Sequence, residues 1–128
     1  MKKKITALVM AAAMCLSFAA CGSDNGGDTA KDTYTVGICQ LVQHQALDAA
    51  TQGFKDALKE ELGDKVEFVE QNAANDIPTC GTICNGFVSD GVDLILANAT
   101  PALQAATAAT QSIPILGTAV TEYGVALD

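Results

Sequence analysis

Hydrophobic and polar positions alternate along residues 34–128 in two kinds of run. Short runs rich in β-branched and aliphatic residues predict strands, and longer runs with an apolar residue every three or four positions predict helices. The predicted strands are residues 34–40, 65–71, 92–97 and 113–118, and the predicted helices are residues 46–62, 78–89 and 101–110. This β-α-β-α-β-α-β order predicts an α/β fold, an open parallel β-sheet with helices on both faces.

Residues at the ends of these runs support the same boundaries. Gly63 and Gly91 follow the first two predicted helices, where a C-cap glycine is common. Thr100 and Pro101 open the third, which predicts a hydroxyl at the N-cap and proline at the first helical position. The run 65–71 carries several charges and is predicted to lie near a sheet edge. The run 92–97 is almost entirely apolar, as in a central strand covered on both faces.

Three cysteines fall in the predicted domain: Cys39, Cys80 and Cys84. Cys80 and Cys84 belong to an apolar stripe at helical spacing, which predicts that they are core residues. An odd number of cysteines does not indicate a disulfide framework. Tetrahedral zinc needs four ligands and His44 is the only histidine, so no metal site is predicted.

The N-terminal residues differ from the rest of the chain. Three lysines precede an uncharged, alanine-rich stretch that reaches residue 20, which predicts a secretory signal peptide over residues 1–20. The sequence Phe18-Ala19-Ala20-Cys21 resembles a bacterial lipobox, with Phe18 where leucine is usual, and implies lipidation of Cys21. Residues 21–33 are small and polar and predict a flexible tether. We therefore expect an exported domain, residues 34–128, anchored by lipid to the outer face of the cell membrane.

Composition and charge exclude several functions. The chain has 15 Asp and Glu against 7 Lys and no Arg, a formal charge of −8, so it lacks the basic clusters with which proteins bind nucleic acid. No glycine-rich phosphate loop follows the first strand, and one histidine without an acidic neighbour is a poor general base. We predict neither an enzyme nor a bound cofactor.

The candidate site follows from the predicted topology. Parallel sheets of this kind bind small molecules beyond the carboxyl ends of their strands, where the strand order reverses. With the common order 2-1-3-4, that point lies between the first and third strands. The loops there carry uncharged hydrogen-bonding side chains, and the candidate ligand-binding residues are Gln40, Gln43, His44, Asn72, Asn98, Thr100, Thr118 and Thr121.

Several ordered segments resemble the amino-terminal, Rossmann-like lobe of ABC-transporter substrate-binding lipoproteins, proteins similar to type I periplasmic binding proteins. The resemblance is to the branch associated with tryptophan and tyrosine, and it covers residues 34–128. Cys80, Cys84 and the preceding Pro78 depart from the small residues more common in the family. The segments are Val36-Gly37-Ile38-Cys39-Gln40, residues 44–50, residues 53–58, Gln71-Asn72-Ala73, residues 92–102 and Thr118-Ala119-Val120-Thr121.

The resemblance implies that the ligand is an amino acid, held in a cleft between two lobes and delivered to a membrane permease driven by an ATPase. The helix beginning at Thr100 would receive the ligand carboxylate, with added hydrogen bonds from Thr100 and Thr118. Amide side chains would orient polar atoms, and His44 would stack on the ligand or bond to it. Only one lobe is present in the sequence, so we expect a fragment of a longer reading frame that binds free amino acids poorly. A receptor for sugars or other small molecules with the same fold, and a non-functional fragment, remain alternatives.

Overall fold

The computed structural model describes residues 31–128. The predicted signal peptide, the lipidation of Cys21 and the tether as far as residue 30 lie outside the described residues. Of the remaining tether residues, Lys31 forms an ion pair with Asp93 at the surface. Asp93 also accepts a hydrogen bond from the Thr35 backbone N–H at 2.9 Å. Together the two contacts lower the pKa of Asp93, the Lys31 contact more strongly.

The chain alternates strands and helices in the predicted order. A 3₁₀ turn, Gly63–Lys65, separates the first helix from the second strand, and a short helix follows the last strand. The strands are β1 (Tyr34–Gln40), β2 (Val66–Asn72), β3 (Leu94–Asn98) and β4 (Ile115–Thr118), and the helices are α1 (Gln45–Leu62), α2 (Ile77–Asp90), α3 (Thr100–Ala109) and α4 (Tyr123–Leu127).

The four strands form one parallel sheet in the order β2-β1-β3-β4, which confirms the predicted topology. The strand with many charges, β2, lies at one edge, as its sequence predicts. The apolar strand β3 lies inside the sheet between β1 and β4. The order reverses between β1 and β3, and this places the predicted ligand site beyond the ends of these two strands.

Alternate residues of the strands supply two separate cores. On one face, Val36, Ile38 and Leu96 pack with Phe54 and Leu58 of α1. The opposite face carries α2, α3 and α4, and its fully buried residues include all three cysteines. The sheet is therefore covered on both faces, with the predicted α2 stripe directed into the core.

Local sequence explains where the helices begin and end. Gly91 adopts the left-handed conformation (φ 67°), and its N–H bonds to carbonyls of the last turn of α2. Gly63 also has a positive φ, 58°, but with a different ψ of −127°, and its N–H bonds to the Lys59 carbonyl at the end of α1. The Asp76 carboxylate caps α2 by accepting the Thr79 N–H at 3.0 Å. No helix within residues 31–128 combines the length and hydropathy needed to cross a membrane.

Candidate functional site

Four of the predicted site residues end the four strands and form one row across the sheet. Gln40 is in register with Asn72 on one side and with Asn98 on the other. Asn98 is in register with Thr118 of β4. Because side chains in register on neighbouring parallel strands project from the same face, this row lies on the α1 face at the carboxyl edge.

The two central members of the row are buried beneath α1 and bond to each other through Thr51. Gln40, Thr51 and Asn98 are only 2%, 3% and 0% exposed. The Thr51 hydroxyl donates to Gln40 Oε1 at 2.8 Å, and Asn98 Nδ2 donates to Thr51 Oγ1 at 2.9 Å. Asn98 Nδ2 also donates to the Leu47 carbonyl at 2.9 Å. These three side chains, named here the buried amide cluster, join β1, β3 and α1.

The buried amide cluster reaches the loop after β1 through the other end of Gln40. Gln40 Nε2 donates to the Val42 carbonyl at 2.9 Å and to Asp48 Oδ1 at 2.7 Å. The polar groups of Gln40 are thus engaged inside the protein. Asn98 differs, because its Oδ1 is buried with no hydrogen-bond partner among the described residues.

Gln43 and His44 lie in the exposed loop between β1 and α1. His44 is the N-cap residue of α1, and its Nδ1 accepts the Ala46 N–H at 3.2 Å. Backbone hydrogen bonds hold the start of the loop, since the Leu41 N–H donates to the Asn98 carbonyl at 3.2 Å. Both predicted residues therefore stand at the carboxyl edge, with the Gln43 side chain open to solvent.

Asn72, at the end of β2, stabilises its own turn. Its Oδ1 accepts the Ala74 N–H at 2.8 Å, an arrangement that asparagine commonly makes in turns. Ala74 and Asn75 both have a positive φ in this turn. Asn72 is exposed and lies on the edge strand β2, so that Gln40 on β1 separates it from Asn98 and Thr118.

The predicted hydroxyl cap of α3 is wrong. The N-cap residue is Ala99, which makes no side-chain cap, and Thr100 is the first helical residue. The difference arises because Ala99 adopts φ 98° and ψ 158°, so that the chain turns into the helix one residue earlier. The Thr100 hydroxyl instead accepts the Thr121 N–H at 3.3 Å, which brings two predicted site residues together.

This contact borders a cavity of about 310 Å³ between α3 and α4. Thr100 and Thr121 line it with hydroxyl groups, and Glu122 places a carboxylate at its wall. Tyr123 links the start of α4 to β4, since its hydroxyl donates to the Gly117 carbonyl at 2.7 Å. The other lining residues are Gln104, Val125 and Ala126.

Sequence reasoning identified two of the six cavity residues and missed the rest. Gln104 follows Thr100 by one helical turn, which is a usable signal once Thr100 is a candidate. The positions of Glu122 and Val125 at the cavity depend on how α4 packs beside α3, and the sequence pattern predicts no strand or helix beyond residue 118. Thr51 was also missed, although a threonine between Leu47 and Phe54 on the apolar face of α1 is itself a signal of a buried polar contact.

Within residues 31–128 the three cysteines are free thiols in the core between the sheet and α2, α3 and α4. A hydrogen bond with the Cys84 thiol, together with burial, raises the pKa of Cys39, and burial raises that of Cys80. Within residues 31–128, no group of three or more histidine, cysteine or acidic side chains is arranged to hold a metal ion. The described geometry is that of polar and hydroxyl groups around a helix N-terminus.

Comparison with known proteins connects this architecture with transport. The family model described as "ABC transporter substrate binding protein" matches residues 35–126. The "Tyrosine-binding protein" of Clostridioides difficile (strain R20291) is 42% identical over an alignment that covers 94% of this chain and 38% of that protein. The chain therefore spans well under half the length of this relative.

Solved structures agree with the sequence match. The ligand-free, open structure of a substrate binding protein with adhesive properties from Clostridium difficile is 46% identical, with a TM-score of 0.71, over 73% of this chain and 33% of that chain. A Streptococcus pneumonia structure described as an ABC domain in complex with L-Trp is 33% identical, with a TM-score of 0.69, over 73% and 32% of the two chains. The family match covers the sheet apart from Tyr34 and all but the last residue of α4, so the chain belongs to the ABC transporter substrate-binding protein family.

Proposed function

We propose that residues 31–128 supply one side of an amino-acid-binding cleft in the substrate-binding component of an ABC import system. The observation that carries this proposal is the uncapped N-terminus of α3 beside the cavity at the carboxyl edge. The relatives that are described as binding tyrosine or L-Trp support an aromatic amino acid as the ligand.

The first turn of α3 has the chemistry to receive the ligand carboxylate. N–H groups in the first turn of a helix have no intrahelical acceptor, and the helix dipole adds positive potential there. Pro101 has no N–H, and the Leu103 N–H already bonds to the Ala99 carbonyl. The amides of Thr100 and Ala102 are therefore the groups that we assign to the carboxylate, with the Thr100 hydroxyl as a further donor.

The other parts of an amino acid match the rest of the cavity wall. Among residues 31–128, the Glu122 carboxylate is the one charged group in the lining, and it is suited to the ligand ammonium. Val125 and Ala126 offer apolar surface for the ligand side chain. A volume of about 310 Å³ is at the lower end of typical ligand pockets, near 300–1,000 Å³, which fits a single amino acid.

The remaining predicted residues serve the same cleft in this proposal. Gln43, His44 and Thr118 contribute polar groups around the ligand, and Asn72 shapes the edge beyond them. Closure of a second lobe over the ligand and delivery to a permease and its ATPase complete the transport function. The proposal includes no cofactor.

Nuclear magnetic resonance titration tests the site. We expect L-tryptophan to shift the backbone amide signals of Thr100, Ala102 and residues 118–122 of the ¹⁵N-labelled protein, with weak affinity because one wall of a cleft leaves the ligand partly hydrated. Indole-3-propionate, which lacks the ammonium group, should bind more weakly. Glucose tests the alternative of a sugar receptor.

Glu122→Gln provides the matched variant, with Glu60→Gln on the exposed side of α1 as its control. Loss of the charge should weaken L-tryptophan binding by about tenfold, the effect of one charge-assisted hydrogen bond, and should leave indole-3-propionate unaffected. Glu60→Gln should change neither ligand. Shifts at residues away from the carboxyl edge, or a response to glucose alone, would refute the amino-acid site.

Export and lipid anchoring are a separate proposal that rests on residues 1–21. We propose cleavage before Cys21 and lipidation of its sulfur and new N-terminus, which would tether the domain at the outer face of the cell membrane. Expression in a bacterium with labelled fatty acid checks this directly. Label should enter the unmodified protein and its Cys15→Ser variant but not Cys21→Ser, and label retained by Cys21→Ser would contradict the assignment.

A further inference from the structure

The buried amide cluster is placed where it can act on a ligand only through other residues. Gln40 and Asn98 lie at the point where the strand order reverses, yet both are enclosed beneath α1. Their donor groups bond to Thr51, to backbone carbonyls and to Asp48. A ligand at the carboxyl edge would therefore meet the loop that covers them.

We propose that Thr51 is a positioning residue that sets the geometry of the ligand-binding loop Leu41–His44 through Gln40. This inference rests on the proposed function for its consequence, weaker ligand binding, and on the buried amide cluster for its cause. Thr51 lies two turns into α1 and is 3% exposed, so it makes no contact with a ligand itself.

The Thr51 hydroxyl connects the two amides of the cluster. It donates to Gln40 Oε1 at 2.8 Å while it accepts from Asn98 Nδ2 at 2.9 Å. With Oε1 directed at Thr51, the Nε2 group of Gln40 faces the Val42 carbonyl and the Asp48 carboxylate. A reversed amide would place Gln40 Oε1 against two other acceptors, the Val42 carbonyl and the Asp48 carboxylate.

Without the hydroxyl, the Oε1 end of Gln40 loses its shorter hydrogen bond. The remaining donor to Oε1 is Asn98 Nδ2 at 3.4 Å, a distance at which hydrogen bonds are weak. Release of Nε2 would free the Val42 carbonyl, one residue before Gln43 and two before His44. The loop that carries two proposed ligand contacts would then sample other conformations.

Two backbone amides report the state of this loop. The Leu41 N–H donates to the Asn98 carbonyl at 3.2 Å, and the Asn75 N–H donates to the Leu41 carbonyl at 2.7 Å. The Ile95 N–H, which donates to the Pro114 carbonyl at 3.0 Å, reports on the sheet away from the loop. Comparison of their hydrogen exchange rates separates a local change from a general loss of stability.

The experiment compares Thr51→Val, which keeps the shape but removes the hydroxyl, with Thr51→Ser, which keeps the hydroxyl. We expect Thr51→Val to accelerate exchange at Leu41 and Asn75 about tenfold more than at Ile95. L-tryptophan binding should weaken by a similar factor of about ten. Thr51→Ser should restore both quantities to nearly their original values.

Thr110→Val is the matched control, because Thr110 is also buried and its hydroxyl accepts the Ser112 and Ile113 N–H groups at 3.2 and 3.1 Å. This variant should destabilise the protein without altering the loop amides selectively or the affinity. Asp48→Ala, at an exposed position, removes another Gln40 partner and should reproduce the selective exchange if Thr51→Val does not fold.

Equal acceleration of exchange at all three amides, with unchanged ligand affinity, would overturn the proposal and leave Thr51 a purely structural residue. Failure of the unmodified protein to bind any amino acid would refute the proposed function instead. In that case the exchange pattern would still decide whether Thr51 orders the loop.

Discussion

Ala99 has a backbone conformation that residues other than glycine rarely adopt. Its φ of 98° and ψ of 158° fall in a region where a side chain costs about 1–3 kcal/mol. Two hydrogen bonds hold it there, from its N–H to the Thr118 carbonyl at 3.0 Å and from the Leu103 N–H to its own carbonyl at 3.1 Å. Replacement by glycine, Ala99→Gly, should relieve the strain.

The magnitude depends on what the same replacement loses. Ala99 is 9% exposed, so removal of its methyl group forfeits about 0.8 kcal/mol of burial. Glycine also has a more disordered unfolded state, a cost of about 0.5–1 kcal/mol. Against a strain of about 1–3 kcal/mol, the variant should range from about 1 kcal/mol less stable to about 1.5 kcal/mol more stable than the unmodified protein.

The control is Ala102→Gly, in the first turns of α3, where the replaced alanine is 0% exposed and helical. Its expected loss is about 2 kcal/mol, from helix propensity and burial together. Urea denaturation followed by circular dichroism measures both free energies of unfolding. If Ala99→Gly destabilises the protein as much as Ala102→Gly does, the conformation of Ala99 is not strained.

Three further predictions concern packing, charge and capping. A Cβ at Gly37 would lie 2.7 Å from the Phe87 ring, so Gly37→Ala should lower the free energy of unfolding by about 1–3 kcal/mol. In urea denaturation, the Gly37→Ala/Phe87→Leu double variant should lose less stability than the sum of the two single losses. The Lys31 contact lowers the pKa of Asp93, so the stabilisation by this ion pair is present above about pH 4 and is lost as the pH falls through the folded-state pKa. Asp93→Asn should lose this pH dependence when stability is measured in acid titrations. An unchanged pH profile would contradict the assignment. Asp76→Ala should cost about 1 kcal/mol in thermal unfolding through loss of the α2 cap.

Local sequence determined the elements and their order. Apolar residues at helical spacing predicted α1 and α2 to within about one residue, and the β-branched run of β1 matched its observed bounds Tyr34–Gln40. The charges of β2 and the apolar character of β3 predicted which strand lies at an edge. These features are local because a helix or strand presents its faces with a fixed period, whatever it packs against.

The tertiary structure decided what each candidate residue does. Gln40 and Asn98 are polar residues at strand ends, and only the position of α1 above them shows that they bond to Thr51 inside the protein. The strained Ala99 moved the start of α3, and α4 brought Glu122 to the cavity wall. A sequence shows that a side chain can form hydrogen bonds, but its partner depends on contacts between residues far apart in the chain, such as the 47 positions that separate Thr51 from Asn98.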